Sequence, residues 1–309
     1  MMNFSYTLTP SLKQELENIQ RTRNKILVEL IPPKAELEIQ WEETLLRIHD
    51  LLKLSGENLK KSQIVDSLTF SQKKKDPRQF QTVLSYKNVY DLIRQNWKLN
   101  PQKLQAKDIE ALFKTVPAFK ADTKGVAHVV EFIQVNPEHP VVQAALALIL
   151  FSSITPQNQE NLPISILFST VFLYKSGFDF RDNVNIAEFI IEDLSRFQEL
   201  LSGALRDKNL SSYLEYFSQN IALQAERILK KIEKGPIQSS MPNHFYQISE
   251  RQKSILSLLN RPGLKITNKT VQQYFKVSQI TASRDLVKLA TLGLIFSAGK
   301  GRSVYYTKI

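Results

Sequence analysis

Gln279, Thr281 and Arg284 carry side chains that can hydrogen-bond the edges of bases, and Lys288, Lys300 and Arg302 carry cations that can hold phosphates. All six fall in residues 245–309, where eleven Lys and Arg face only Glu250 and Asp285, a net +9. Residues 1–244 set thirty basic against twenty-eight acidic side chains, so nearly all of the chain's +11 sits in its tail. A charge concentrated this way is the electrostatic footprint of a segment that binds a polyanion. Ser278 can cap a helix running through Leu292, with Ile280, Leu286 and Leu289 facing the core and Gln279, Thr281, Arg284 and Lys288 facing outward. The alternatives are that Arg284 pairs with a nearby acid or is simply solvated, and that the segment docks a protein rather than DNA.

The rest of the chain offers little reactive chemistry. It has no cysteine, which excludes disulfides, thiolate catalysis and cysteine-bound metal. Its four histidines, His49, His128, His139 and His244, are scattered, and none shares a helix face with carboxylates at metal-binding or catalytic spacing. Neither a glycine-rich phosphate loop nor an internal repeat is present. The first residues lack the basic-then-apolar order of a secretory signal. The longest apolar run, Val141 to Ile154, is shorter than the roughly 20 residues needed to span a membrane, so it is read as a buried central helix. The polar run between Thr155 and Ile166 holds Asn161, a good N-cap candidate, and Pro163, which suits a first helical turn.

What flanks that polar run carries a resemblance. His139-Pro140 followed by an apolar series stands before it, and Leu173-Tyr174-Lys175-Ser176-Gly177-Phe178-Asp179-Phe180-Arg181 after it. With Ser212-Tyr213-Leu214-Glu215-Tyr216-Phe217 further on, these resemble the core of Fic-family (Fido-fold) proteins, many of which also end in a winged helix. The resemblance covers most of the chain and is weakest before about residue 85. It implies a mainly α fold: N-terminal helices, a Fic-like helical core, and a C-terminal winged helix-turn-helix with a small β-hairpin wing.

Between those flanks the family carries His-Pro-Phe-x-(Asp/Glu)-Gly-Asn-Gly-Arg-x-x-Arg. Carried across, the catalytic histidine position holds Thr155, and the proline is kept as Pro156. The phenylalanine is Gln157, and the metal-binding carboxylate position is Gln159. The two glycines are Glu160 and Leu162, the asparagine survives as Asn161, and the two arginines are Pro163 and Ile166. A general base is worth about 10²- to 10⁴-fold, and threonine cannot supply it near neutral pH. Nucleotidyl transfer depends on converging backbone N–H groups and on cations that neutralise developing charge. Glu160 brings the wrong charge and Pro163 no N–H, so the resemblance implies a dismantled active site with no catalytic or metal-binding residue. The family's segment for aligning a target chain looks truncated between Phe113 and Glu138. Leu54 to Leu59 lies where some members carry an inhibitory helix, but Glu57 is out of register and reads as a solvated turn residue.

The elements that must position these groups are mostly helices. Periodicity and breakers place them at Leu12 to Leu30, Lys34 to Leu54, Tyr86 to Trp97, Ala106 to Thr115, Val126 to Gln134, Pro140 to Ser153, Pro163 to Ser176, Ile186 to Leu205 and Leu210 to Glu233. Residues 73–77 read as a solvated loop. In the tail, Ser249 to Asn260 and Asn268 to Phe275 precede the helix capped by Ser278. Leu294 to Ser297 and Arg302 to Tyr306 make strands of a wing around Gly299 and Gly301. The sequence Thr-Ala-Ser-Arg-Asp-Leu with its Gly-Lys-Gly-Arg resembles the wings of bacterial transcription regulators. The expected organisation is an N-terminal helical region over 1–85, a Fic-like core over 86–233, a Gly/Pro/Ser-rich linker over 234–244 and the winged helix over 245–309.

Three functions follow. The leading one is a cytoplasmic DNA-binding regulatory protein whose inactive core serves dimerisation, as a homodimer, or partner binding, with no cofactor and no membrane association. The second is a Fic-type adenylyltransferase with unorthodox residues, which would need ATP and Mg. The third is an antitoxin-like partner that binds another protein through its core.

Overall fold

The computed structural model describes residues 4–69, 77–114, 116, 123–135, 138–155, 161–235, 248–259, 264–292, 294–298 and 304–307. Among them the chain forms fourteen helices and two short strands. By contact it divides into two compact units, Met1–Ser239 and Ser240–Ile309.

The first unit is built around α7 (Pro140–Ile154), which buries Val141, Val142 and every residue from Ala144 to Phe151. A helix apolar on all sides must be enclosed by others. Its most extensive partner is α8 (Asn161–Lys175), buried from Pro163 to Tyr174. Polar atoms inside this pair are satisfied locally: Ser165 Oγ donates to Asn161 O at 3.1 Å, Thr170 Oγ1 to Ile166 O at 2.8 Å, and Ser169 Oγ crosses to Ala144 O at 2.6 Å. Around them α1 (Pro10–Val28) packs on α11 (Ser211–Lys234), α11 and α6 (Thr123–Val135) pack on α7, and α4 (Pro77–Trp97) packs on α8. The unit is completed by α2 (Pro33–Leu54), α3 (Lys61–Thr69), α5 (Ala106–Phe113), α9 (Ile186–Glu192) and α10 (Leu194–Asp207).

The turn after α8 ties these helices together. Gly177 has φ +70°, and a Cβ there would stand 2.7 Å from Leu99 Cδ2, so glycine is favoured. Phe180, Arg181 and Asp182 then take φ of 47°, 58° and 66° in succession. Left-handed backbone at non-glycine residues costs about 1–2 kcal/mol each and persists only where the surroundings over-determine it. Here they do. Arg181 donates to Glu29 O at 2.8 Å and to Glu36 Oε1 at 2.9 Å, Lys98 Nζ reaches Asp179 at 2.8 Å and Asp182 at 3.2 Å, and Arg94 lies 3.2 Å from Asp182. Burial opposes the charge on Asp182, yet Arg94, Lys98 and Arg47 hold its carboxyl below the usual range.

The second unit has its own core of Ile255, Leu259, Ile266, Val271, Ala282, Leu286, Leu289 and Ile295. Its helices are α12 (Glu250–Leu258), α13 (Asn268–Phe275) and α14 (Gln279–Thr291), followed by the antiparallel strands β1 (Phe296–Ala298) and β2 (Tyr305–Thr307). Register pairs Ser297 with Tyr306, and Tyr306 also exchanges two backbone hydrogen bonds with Ile266, at 2.7 and 2.9 Å. The hairpin is thereby attached to the loop before α13.

Five features differ from the sequence reading. An additional helix, α3, is present, and α4 begins at Pro77, well before Tyr86; of the loop expected over residues 73–77, only Pro77 is among the described residues, and it opens α4. The single helix expected over Ile186 to Leu205 breaks at Asp193, whose carboxylate accepts from Arg196 N at 3.0 Å and caps α10. Asn161 is the first residue of α8 rather than its cap. Ile280, placed in the core by spacing, is 65% exposed, and Ala282 occupies the buried position instead.

Candidate functional site

The described residues on either side of 156–160 and the end of α2 meet at one cleft of about 680 Å³ in the first unit. Thr155 and Asn161, the described ends of the loop, line it together with Leu162 and Ser165 of α8, Ser152 of α7, and Lys53, Leu54 and Gly56 at the end of α2. Thr155 Oγ1 donates to Phe151 O at 3.1 Å, the ordinary back-bond of a threonine at the end of a helix. Pro163 is buried and Ile166 is wholly so, and neither reaches the cleft. Glu57 is half-buried in a turn, its N–H donating to Leu52 O at 2.8 Å, and is not part of the cleft wall. Gln157, Gln159 and Glu160 lie outside the described residues.

The far wall, Leu194, Phe197, Gln198, Leu201, Ser202 and Leu205 of α10, was not foreseen. The signal was present in the 3–4-residue spacing of its apolar side chains, but only the break at Asp193 turns that stripe toward the cleft. Among the described lining residues Lys53 is the sole charged group. No three His, Asp or Glu among the described residues stand together as metal ligands. Among the described residues the cleft is thus largely apolar, with hydroxyls of Ser152, Thr155, Ser165 and Ser202, amides of Asn161 and Gln198, and one cation, Lys53. His139, at the head of α7, is a cap: its Nδ1 accepts from Val141 N at 3.3 Å, its ring meets Phe178 edge-on at 4.9 Å, and burial pushes its pKa down to about 4.

The second candidate surface is on α14. Ser278 Oγ accepts from Thr281 N at 3.2 Å and caps the helix, and Lys276, at φ 51°, closes α13 so that the two helices are joined by a tight turn. Ser249 and Gln252 form a reciprocal capping box at the start of α12, at 3.0 and 3.2 Å. Behind α14 the carboxylate of Asp285, 4% exposed, accepts from Arg251 Nε and Gln252 Nε2, at 2.5 and 2.7 Å. Asp285 is therefore committed to α12, and Arg284 is exposed with no acceptor among the described residues. Gln279 is exposed, and Thr281 and Lys288 are partly so. These four lie on one helix away from its buried residues, whereas Lys300 and Arg302 lie outside the described residues.

A crystal structure of a Fic family protein from Desulfovibrio desulfuricans G20 superposes on the chain with a TM-score of 0.61 and 12% sequence identity, covering 98% of this chain and 97% of that one. The fold is that of a Fic protein. The Fic-like core therefore explains why the residues on either side of 156–160 and the end of α2 converge on one cleft. Residues 251–301 match the DeoR-like helix-turn-helix domain, which places α12 to α14 and the first strand of the hairpin within a known DNA-binding architecture. No curated protein matches the chain in sequence. No helix among the described residues is long and apolar enough to cross a membrane.

Proposed function

We propose that this chain is a DNA-binding regulatory protein whose α14 enters the major groove, and whose Fic-like core does not transfer nucleotides but serves self-association or the binding of a protein partner. The observation that carries the first half is the outward side of α14: Gln279 and Arg284 exposed, Arg284 released from Asp285 by Arg251 and Gln252, in a segment of net charge +9. A guanidinium in that setting is available to a guanine edge or a phosphate. The N-terminal residues of a recognition helix lie nearest the bases, which gives Gln279 and Thr281 base-edge roles and Lys288, Lys300 and Arg302 phosphate roles.

What supports the second half is the chemistry of the cleft. A transfer site needs a base and cations around the phosphates; at the corresponding positions stand a back-bonded Thr155, a buried Pro163 and a buried Ile166. The test is a pair of titrations on the full chain. Fluorescence anisotropy with random duplex DNA at two salt concentrations is expected to show binding that weakens steeply with salt, since each neutralised phosphate adds about −0.9 to the log–log slope. Calorimetry with ATP and magnesium is expected to give no heat of binding. Tight ATP binding would overturn the silent-core reading, and salt-independent or absent DNA binding would overturn the regulator reading.

A further inference from the structure

Ile280 is used by neither the core nor the helix that carries it. It is the second residue of α14 and is 65% exposed, while Ala282, Leu286 and Leu289 fill the core side. As a β-branched residue it has lower helix propensity than alanine would have at the same place, so local stability does not account for it. By helical spacing it shares a ridge with Ser283, Arg284 and Val287, and Val287 is 53% exposed. The ridge thus sets one cation, Arg284, between two apolar side chains, and its apolar head lies in the first turn. Side chains in a helix lean toward its N-terminus, which carries Ile280 toward whatever the end of α14 faces.

Duplex DNA presents one apolar group in the major groove, the C5-methyl of thymine. We propose that Ile280 is a specificity residue that packs on a thymine methyl, next to the bases hydrogen-bonded by Gln279 and Arg284. This rests on the DNA-binding reading and adds a sequence requirement to it: at least one A·T pair, with the thymine methyl turned toward the head of α14. DNA is favoured over a protein occupant by charge complementarity, since Lys269, Lys276 and Arg284 are exposed on the same unit and its net charge is +9. The stiff χ1 of isoleucine suits a contact that must hold one methyl in one place.

The experiment uses the full chain. A duplex is selected from a randomised pool with the wild-type protein, and its thymines are replaced one at a time by deoxyuridine, which removes only the methyl. At one thymine the wild type is expected to lose about fourfold in affinity, the weight of one buried methyl-sized group. The Ile280→Ala variant is expected to bind the parent duplex more weakly by a similar factor and to be indifferent to that replacement. If the wild type binds no DNA, the regulator reading falls and this proposal with it. If both proteins bind and respond alike to every deoxyuridine, only the thymine contact is overturned. The same holds if Ile280→Ala leaves selection unchanged but alters the oligomeric state in sedimentation, because Ile280 would then face protein.

Discussion

Thr155 gives its hydroxyl hydrogen to the Phe151 carbonyl at 3.1 Å, and Ile166, which the resemblance sets at the family's second arginine, is fully buried. A Thr155→His substitution would therefore restore a base without the cations that the transfer step also needs, and general-base catalysis alone contributes only about 10²- to 10⁴-fold. It is expected to give no AMP transfer to any protein by mass spectrometry. His139 allows a separate prediction. Its folded pKa, about 4, is below the ordinary value of about 6.5, so between these values the unfolded chain binds more protons. The stability due to its neutral form is fully present above pH 6.5 and is lost as pH falls toward 4. Denaturant midpoints at pH 7 and pH 5 are expected to differ less in His139→Asn, which keeps an N-cap acceptor without the titration, than in the wild type. An equal pH response in the two proteins would sink this account. At Asp285, the Asn variant is expected to lose about 1–3 kcal/mol, because it weakens charge-assisted bonds to Arg251 and leaves a buried amide imperfectly paired. Urea titration of the variant measures it.

At the level of elements, what the sequence made legible were the parts whose signals are local. The run after His139-Pro140 is apolar on every face and becomes α7; α13 spans Asn268–Phe275 as read from the sequence, and Ser278 caps α14 as expected. The parts it did not disclose depend on partners distant in the chain. Ile280 is a different case: it stands six and nine residues before Leu286 and Leu289, on the opposite face, whereas Ala282 stands four and seven before them, so the helical period within α14 already favours Ala282 as the core residue. The cleft wall from α10 depends on the cap at Asp193. The same logic yields a test of the turn after α8, which was visible in sequence only as a motif. Gly177→Ala places a Cβ 2.7 Å from Leu99 Cδ2 at φ +70°, where even an unobstructed alanine is strained by about 1 kcal/mol. The variant is expected to lower the melting temperature of the first unit by several degrees; a change within error would mean that Leu99 moves aside and the turn is softer than its ion pairs imply.

For the whole molecule, the division into Met1–Ser239 and Ser240–Ile309 joins two bodies of unequal robustness. The first buries two central helices and a large set of aromatic side chains. Among the described residues, the second packs one cluster of eight buried side chains, two of them contributed by the segments around the hairpin, Ile266 and Ile295. A domain of this size buries only about 60% of the surface its unfolded chain exposes and is correspondingly marginal. Two separately packed cores do not share one cooperative transition, so scanning calorimetry of the full chain is expected to show two. The smaller, at lower temperature, should shift upward when duplex DNA is added, because a ligand that binds only the folded form stabilises it by about 2.7 kcal/mol at a hundredfold excess over Kd. Asp285→Asn should lower that transition alone, and Gly177→Ala the other alone. A single transition moved by both substitutions would mean that the two units fold as one, and that ligand binding in the core and DNA binding at α14 are energetically coupled rather than independent.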